Sequence, residues 1–165
     1  MRILVFSDSH SGMSFMRRCA QALKPDVLIH LGDHYDDGEA IRDENPNASV
    51  YLLPGNCDRY RAPIHAMEIL TQRIGGVCFY MTHGHLHGVK MTLVRLLRDA
   101  RAAGADVVLY GHTHQAYCQR EEDGLWVMNP GSCGYYGGSA GLLEVENGVV
   151  KSCRLIRDGD LEEFA

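Results

Sequence analysis

Residues 2–10 read RILVFSDSH, and this stretch decides the architecture expected for the chain. Ile3 to Phe6 form a short, uninterrupted apolar run with branched and aromatic side chains, which is typical of a buried β-strand. The run is followed at once by Asp8 and His10, two polar residues poorly suited to a simple turn. A buried strand that ends in chemically capable side chains indicates an open α/β sheet, in which ligand sites form at the carboxyl ends of strands.

The same pattern recurs four more times along the chain. The further apolar runs are Val27 to Leu31, Val50 to Leu53, Val77 to Met81 and Val107 to Tyr110. The loops after them are Gly32-Asp33-His34, Gly55-Asn56-Cys57-Asp58, His83-Gly84-His85 and Gly111-His112-Thr113-His114. Each motif alone usually closes a turn or caps a helix. Five in succession indicate a site, because Asp, Asn and His resist burial unless their polar atoms are satisfied, as a shared cation would do.

The remaining sequence predicts helices first and hairpins later. Helical spacing of apolar residues predicts amphipathic helices over Ser14 to Leu23 and Val89 to Ala103. Paired short runs predict two hairpins, Ala116 to Arg120 with Leu125 to Met128, and Leu142 to Val145 with Val149 to Ile156. A chain that begins as βαβ and ends in hairpins, with no linker or repeat, predicts one domain over residues 1–165 with two packed sheets and helices outside. The acidic tail, residues 158–165, is expected to be solvated.

Composition excludes several classes of partner. The chain has 165 residues and a formal net charge of -5, which gives no general attraction for polyanions, so a long nucleic acid is disfavoured and a small phosphate ester is allowed. Six widely spaced cysteines without a CxxC pair predict reduced thiols. No basic leader and no apolar run long enough for a bilayer is present in the sequence, so we expect a cytoplasmic protein without a membrane partner. An oligomer is left open.

The candidate ligands suggest the kind of metal. Imidazole, carboxylate and one amide oxygen, without a repeated cysteine pair, point away from structural zinc and iron-sulfur clusters. They suit Mn, Zn, Fe, Ni and Co without selecting one, and manganese is our first expectation. The seven candidates are Asp8, His10, Asp33, Asn56, His83, His112 and His114. Seven are too many for one ion with an open position, whereas two ions bridged by a carboxylate, about 3.5 to 4 Å apart, provide a clamp for displacement at phosphorus.

Together the five loops and the later motif Asn129-Pro130-Gly131-Ser132 resemble the calcineurin-like metallophosphoesterases, in particular small phosphodiesterases of the YfcE type. The resemblance covers nearly the whole chain in order and spacing. It implies a four-layer α/β/β/α sandwich with two mixed β-sheets, and hydrolysis of small phosphodiesters by a hydroxide that bridges two metal ions. On the matching positions, one ion would be held by Asp8, His10 and His114, the other by Asn56, His83 and His112, and Asp33 would bridge them.

The resemblance also implies catalytic residues beyond the ligands. Asn56 is counted as catalytic as well as metal-binding, Asp58 would lie in the outer shell or orient an acid, and His85 would face the substrate phosphate or fix the ligands' surroundings. The chain departs from many relatives at Cys57, where they carry the histidine usually assigned to protonate the leaving oxygen. A thiol is a weak hydrogen-bond donor and no equivalent proton source, so the general acid is in doubt. We expect Cys57 to be a small packed thiol, with a metal-proximal ligand or a nucleophile as the alternatives.

Other polar residues receive structural interpretations. His30 and His65 are expected to be satisfied sheet histidines, His87 a solvated loop residue, and His34 with Asp36 and Asp37 a cap for a following helix. The glycine-rich loop with Tyr135 and Tyr136 leaves open a stacking rim for a nucleoside.

The alternative function is a phosphoesterase-like metal-binding scaffold for protein interaction. Retromer's phosphoesterase-like subunit shows that such a fold can serve this purpose. It resembles a site with altered ligands, however, whereas all seven candidates are intact in this sequence, which favours catalysis.

Overall fold

The computed structural model describes residues 1–164. Its strands are β1 (Arg2–Phe6), β2 (Val27–His30), β3 (Ser49–Leu52), β4 (Ile69–Ile74), β5 (Val77–Thr82), β6 (Val107–Leu109), β7 (Tyr117–Arg120), β8 (Trp126–Asn129), β9 (Ser139–Glu146) and β10 (Val149–Arg157). Its α-helices are α1 (Met13–Leu23), α2 (Tyr35–Glu44) and α3 (Val94–Ala102), and 3₁₀ helices cover His85–His87 and Asp158–Phe164. None of these helices is both long and apolar enough to pass through a membrane.

The strands form two mixed sheets. The first has the order β10-β9-β1-β2-β3. Strands β1, β2 and β3 are parallel to one another, β9 is antiparallel to β1, and β10 is antiparallel to β9. The second has the order β4-β5-β6-β8-β7, with a parallel centre and an antiparallel strand at each edge. In both sheets the parallel strands place their carboxyl ends along one edge, where the polar loops of the sequence follow.

Three apolar clusters define four layers. The central cluster lies between the two sheets and includes Val5 and Phe79. A second cluster lies between the first sheet and the α1 side, where Phe6 meets Met16. A third lies between the second sheet and α3, where Leu96 is fully buried. The expected α/β/β/α sandwich with two mixed sheets is therefore confirmed, since each element buries its apolar face against a neighbouring layer.

Several local predictions need correction. Strand β4 was not predicted, because Gln72 and Arg73 interrupt its apolar pattern at an exposed sheet edge. His65 lies in an exposed turn before β4 and not within a strand. Helix α3 begins at Val94, since a turn occupies the residues before it.

The acidic tail was also described wrongly as solvated. Residues 158–164 form a 3₁₀ helix whose Leu161 packs into the cluster on the α1 side, and Ala165 lies outside the described residues. Asp158 forms an ion pair with Arg18 of α1 at 2.8 Å, which holds this helix in place. The buried leucine makes the segment part of the fold despite its charge.

Candidate metal centre

All seven predicted ligands meet at the shared edge of the two sheets. The first sheet contributes Asp8 and His10 after β1, Asp33 after β2 and Asn56 after β3. The second sheet contributes the other three histidines, His83 after β5 and His112 and His114 after β6. The carboxyl ends of parallel strands thus bring together residues more than 100 positions apart in sequence, as in His10 and His114.

The ligand atoms form two overlapping groups. One group is Asp8, His10, Asp33 and His114, and the other is Asp33, His83 and His112. Within each group the donor atoms lie within 4.8 Å of one another. Asn56 adds an oxygen to the second group, since its Oδ1 is 3.1 Å from Nε2 of His83. Asp33 belongs to both groups, which is the arrangement that a bridging carboxylate requires.

Five of these residues adopt a backbone conformation that non-glycine residues rarely occupy. The residues with positive φ are Asp8 at 54°, His10 at 44°, Asp33 at 57°, His112 at 69° and His114 at 59°. Such conformations each cost about 1–3 kcal/mol and persist only where surrounding contacts enforce them. Because these conformations are concentrated in the ligand loops, the fold accepts an unfavourable backbone conformation there in order to position the side chains.

Asp8, Asp33 and His83 form what we call the floor of the site, because all three are buried. The Asp8 carboxylate is held through one oxygen: its Oδ2 accepts hydrogen bonds from Ser7 Oγ at 2.6 Å and from the His112 backbone N–H at 3.0 Å. Its Oδ1 is buried and makes no hydrogen bond of good geometry with any described residue, although Nε2 of His114 lies 3.2 Å from it. An unpaired buried carboxylate oxygen is costly, and a cation at this position would satisfy it.

Asp33 and His83 are held in the same way, by one atom each. Asp33 Oδ1 accepts from the Cys57 backbone N–H at 2.9 Å, while its Oδ2 lies 3.5 Å from Nε2 of His83. His83 Nδ1 donates to the Leu31 carbonyl at 2.8 Å, which leaves a lone pair on Nε2 in the neutral ring. Nε2 therefore faces two acceptors, Asp33 Oδ2 and Asn56 Oδ1. Three electron-rich atoms converging on one point fit a divalent cation.

His10, Asn56, His112 and His114 form what we call the rim, because each is at least partly exposed. Across the rim, Nε2 of His10 lies 3.3 Å from Nε2 of His114. Tyr135 of the glycine-rich loop stacks on His114 with ring centroids 5.7 Å apart, and its centroid is 5.2 Å from that of His10. The aromatic ring of Tyr135 therefore lies beside the first ligand group.

The electrostatics of the rim favour neutral imidazoles at two positions. Burial, with the neighbouring His83 and Lys90, lowers the pKa of His112 to about 4. Burial also lowers the pKa of His10, although Asp33 opposes this shift. Neutral rings retain the lone pair that a metal ligand needs.

The Asp8–His114 contact has the opposite effect, because it favours the protonated imidazole. Asp8 Oδ1 lies 3.2 Å from Nε2 of His114, and this approach raises the pKa of His114. Burial of Asp8 favours its neutral form, but the close His114, with His83 and Ser7, lowers the pKa of the carboxyl below its ordinary value. The buried carboxylate is therefore ionised, and it supplies negative charge at the floor.

Two glycines allow the floor to pack against backbone. A Cβ at Gly55 would lie 2.2 Å from Asp33 Oδ1, and a Cβ at Gly111 would lie 1.9 Å from Ser7 Oγ. Any side chain at either position would push a floor carboxylate or its hydrogen-bond donor out of place. Glycine is required at these two positions for steric reasons.

Asp58 lies in the outer shell of the site, which is one of the two roles expected for it. Its buried carboxylate accepts four backbone hydrogen bonds of 2.7 to 2.9 Å, from the N–H groups of Asp33, His34, Tyr35 and Gly55. Both oxygens are thus committed to shaping the Asp33 loop and the first turn of α2. The expectation that Asp58 orients an acid at position 57 is not supported by this geometry.

Asp58 also replaces the helix cap expected from neighbouring residues. His34 occupies the position before α2 but makes no side-chain capping bond. Asp37 instead accepts from the Ser11 backbone N–H at 2.8 Å, and Asp36 is an exposed partner of Arg61. The free N–H groups at the start of α2 are satisfied from a distant loop and not by these local carboxylates.

The motif that begins with Asn129 at the end of β8 supports the ligand loops, although no role was expected for its members. Asn129 Nδ2 donates to the Gly111 carbonyl at 3.0 Å and to Thr113 Oγ1 at 2.9 Å. Ser132 Oγ donates to the Asp8 carbonyl at 2.7 Å. These bonds explain why this motif accompanies the histidine loop: it fixes the backbone on which His112 and His114 stand.

His30 behaves as the expected sheet histidine. Its Nδ1 accepts from the Gly32 N–H at 3.2 Å, so its Nε2–H can donate to Ser9 Oγ at 3.0 Å, and Ser9 Oγ donates to the Asp33 carbonyl at 3.2 Å. Complete burial lowers the pKa of His30 to about 4 and keeps it neutral. Its imidazole is a support for the Asp33 loop.

Two predictions about single residues are wrong. Cys57 is exposed at the edge of the site and is not a packed thiol, and burial of its sulfur and the nearby Asp33 raise its pKa. His87 is buried and not solvated, with Nε2 hydrogen-bonded to the Tyr80 hydroxyl at 3.0 Å. Sequence periodicity could not show either outcome, because both depend on which side of a loop meets the next layer.

His85 stands outside both ligand groups but beside them. Its ring centroid is 5.4 Å from that of His83 and 6.1 Å from that of His112. Burial and the neighbouring His83 lower the pKa of His85, so its ring is neutral near pH 7. Its Nε2 lies 3.8 Å from Glu68 Oε1.

Comparison with known proteins connects this site to a family. A model of the calcineurin-like phosphoesterase superfamily domain matches residues 1–148. The probable metallophosphoesterase YsnB of Bacillus subtilis is 33% identical over 135 residues, covering 80% of this chain and 75% of that protein. A phosphodiesterase of Methanocaldococcus jannaschii is 30% identical over 164 residues, covering 88% of this chain and 94% of that protein.

Solved structures agree on the fold. The phosphoesterase Yfce from E. coli aligns with a TM-score of 0.62 at 18% identity, over 93% of this chain and 98% of that one. Vps29 from Chaetomium thermophilum aligns with a TM-score of 0.74 at 17% identity, over 94% and 95% of the two chains. At these identities the likeness concerns the fold alone. From the family model and the sequence relatives, this chain belongs to the calcineurin-like phosphoesterase superfamily, whose members bind divalent metals.

Proposed function

We propose that this chain hydrolyses small phosphodiesters with two divalent metal ions held by the floor and rim residues. One observation carries the proposal: each floor residue is anchored through one polar atom and presents its other one, so that two ligand groups meet at Asp33. A pair of ions bound there supplies an activated water and offsets the negative charge that develops at phosphorus.

The chain's own residues have separate roles in this proposal. Asp8 and Asp33 provide the negative charge that retains two cations, and neutral rings at His10 and His112 complete the two groups. Asn56 offers an uncharged oxygen to the second group from an exposed position, where it can also contact substrate. His85 lies next to that group and is placed to donate a hydrogen bond to a phosphate oxygen.

The preference for diesters follows from the lack of a strong proton donor near position 57. The Cys57 thiol is a weak donor with a raised pKa, and Asp58 is fully engaged with backbone N–H groups. His85 is neutral near pH 7 because its pKa is lowered. A substrate whose leaving group tolerates negative charge suits such a site. The name of the M. jannaschii relative supports the same substrate class.

The metals in this proposal are divalent ions, with manganese as the first choice and zinc, iron, nickel or cobalt as alternatives, because nitrogen and oxygen ligands do not distinguish among them. A protein-binding scaffold is the competing function, and the Vps29 likeness shows only that the same fold occurs there. The convergence of buried donor atoms on two positions supports catalysis over this alternative.

The proposal is tested on full-length protein stripped with a chelator and reloaded with Mn²⁺. Turnover is measured on bis(p-nitrophenyl) phosphate and on p-nitrophenyl phosphate, with Asp33→Asn protein purified in parallel to exclude a contaminating phosphatase. We expect no turnover without metal and faster cleavage of the diester after reloading. Full activity of the stripped protein would contradict the metal mechanism, and faster cleavage of the monoester would contradict the assignment of diesters as substrates.

A further inference from the structure

Two cysteines that belong to neither ligand group lie in contact between the sheets. Cys118 is on β7, the edge strand of the second sheet, and Cys153 is on β10, the edge strand of the first. Their Sγ atoms are 3.5 Å apart, and Cys118 Sγ is also 3.3 Å from the Cys153 carbonyl oxygen. Both side chains pack against the central cluster. The pair therefore connects the edges of two layers that share no backbone hydrogen bond among the described strands.

The pair is close to the geometry of a covalent bond. A disulfide has its sulfurs about 2.05 Å apart, so the two atoms need to approach by about 1.5 Å. The register of β10 against β9 shifts between Val150 and Ser152, directly before Cys153. Such an irregularity bends a strand locally and interrupts its ladder, which allows a small displacement there.

The surroundings of the two sulfurs differ from those of the other four cysteines. Cys118 and Cys153 are each partly exposed, so a small oxidant can reach them, whereas Cys19, Cys78 and Cys133 are buried and Cys57 is exposed at the metal centre. The hydrogen bond shared by the two sulfurs lowers the pKa of Cys118 and raises that of Cys153. Either sulfur of the pair can be the one that reacts first as a thiolate.

We propose that Cys118 and Cys153 form an oxidisable dithiol, which hydrogen peroxide or a related peroxide converts to a disulfide between the two sheet edges. One of the two sulfurs, as a thiolate, attacks a peroxide oxygen, the O–O bond breaks and hydroxide leaves, which gives a sulfenic acid. The sulfur of the other cysteine then attacks the oxidised sulfur, the S–O bond breaks, and the proton of the second thiol leaves with that oxygen as water. In total two thiols lose two electrons and two protons, and one peroxide becomes two waters.

The cross-link would act on the strands that frame one side of the metal centre. Cys118 follows His114 by four residues, and Cys153 precedes Arg157 by four residues. His114 and Arg157 both line a cavity of about 410 Å³ that also borders Tyr135. A disulfide between β7 and β10 would fix the distance between the His114 side and the Arg157 side of this cavity. If the proposed phosphodiesterase function holds, the disulfide should change KM for a diester more than it changes metal binding.

The chemical test uses Cys57→Ser protein, which lacks the thiol exposed at the metal centre. After treatment with hydrogen peroxide we expect two titratable thiols to disappear, the intact mass to fall by about 2 Da as two hydrogens leave, and peptide mapping to join the segments of Cys118 and Cys153. Dithiothreitol should reverse all three changes. A sulfinic or sulfonic product at Cys118 without a cross-link, or a disulfide to another cysteine, would overturn the proposal.

Two further measurements separate this proposal from the proposed function. Closing the loop between Cys118 and Cys153 should raise Tm by about 5–10 °C in the oxidised protein, and Cys118→Ser and Cys153→Ser variants should show no such rise, with Cys78→Ser as a control that retains it. These readouts do not depend on turnover. A reduced, Mn²⁺-loaded protein without diester turnover whose cross-link still forms on oxidation would refute the phosphodiesterase and leave the dithiol intact, whereas diester turnover in a protein that forms no cross-link would refute only the dithiol.

Discussion

The floor and the rim of the metal centre are built from similar residue types but are held in different ways. Each floor residue is buried and keeps one polar atom in a hydrogen bond to its own fold, such as His83 Nδ1 to the Leu31 carbonyl. Rim residues are partly exposed, and their side chains contact the floor and one another, as in Asn56 with His83 and His10 with His114. The difference indicates that the fold fixes the charge and position of the metal centre from below, while the rim is left open to substrate.

The floor also explains the unusual backbone of the ligand loops. Asp8 and Asp33 both have positive φ, and each is held by a backbone N–H from another loop. A strained conformation is stable only if neighbouring segments compensate for it. Changes to the floor should therefore affect metal binding and folding together, whereas changes at the rim should affect metal binding and turnover more than folding.

The largest effect is expected from Asp33→Asn. The amide can still accept from the Cys57 N–H, but it removes the negative charge shared by both ligand groups. We expect loss of bound metal and a fall in turnover of about 10³-fold or more. Elemental analysis and the diester assay measure both effects. Asp36→Asn, three residues along the chain and exposed, is the matched control, and equal behaviour of the two variants would contradict the bridging role.

The next largest effect is expected from Asp58→Ala, although Asp58 is not placed as a ligand. The change leaves four backbone N–H groups without their acceptor, at about 1–3 kcal/mol for each that stays buried and unsatisfied. We expect a loss of at least about 3 kcal/mol in the free energy of unfolding, with lower metal content.

Urea denaturation monitored by circular dichroism measures this loss. Asp43→Ala removes an exposed carboxylate from α2 and should change stability by less than about 0.5 kcal/mol. An Asp58→Ala protein as stable as the Asp43→Ala protein would show that the four hydrogen bonds do not shape the floor.

A smaller effect, confined to turnover, is expected from His85→Gln. His85 adjoins the second ligand group without belonging to it, so both ions should remain while a hydrogen bond to the phosphate is weakened. We expect kcat to fall by about 10²-fold at unchanged metal content. His65→Gln changes an exposed histidine in the preceding loop and serves as the control. Wild-type turnover in His85→Gln would remove His85 from the catalytic set.

The smallest effect is expected from Cys57→Ala. Cys57 holds the floor through its backbone N–H, which alanine keeps, and its side chain is exposed. Turnover should change by less than about threefold, against the 10²- to 10⁴-fold typical of a general acid. The comparison is made at equal metal occupancy, since lost metal would mimic a catalytic defect. A collapse of activity with both ions bound would make the thiol a participant.

The sequence predicted the parts of this protein that depend on local pattern. Strand β1 and the loop with Asp8 and His10 were readable because an apolar run ends abruptly in polar residues, and the same holds for the loops after β2, β5 and β6. The fold followed from the order of these patterns and from the family resemblance. The role of the seven residues as metal ligands stays a prediction, now supported by their convergence on one edge.

The parts that were missed depend on tertiary contacts. Asp58 was expected in the outer shell or beside an acid, but its four backbone donors could not be predicted, because they come from two separate segments that meet only in the folded chain. Strand β4 carries polar residues because it lies at a sheet edge, and the acidic C-terminal segment is anchored by one buried leucine, Leu161. No periodicity encodes such outcomes, since they depend on which surface a neighbouring element happens to cover.

The metal stoichiometry of the full-length protein tests the central claim most directly. Chelator-treated protein is titrated with Mn²⁺, bound metal is counted after removal of the excess, and diester turnover is measured at each step. Two ligand groups that share Asp33 predict saturation at two ions per chain, with full turnover reached only when the second ion is bound. Saturation at a single ion, or full turnover before any metal is added, would contradict a dinuclear centre on this floor.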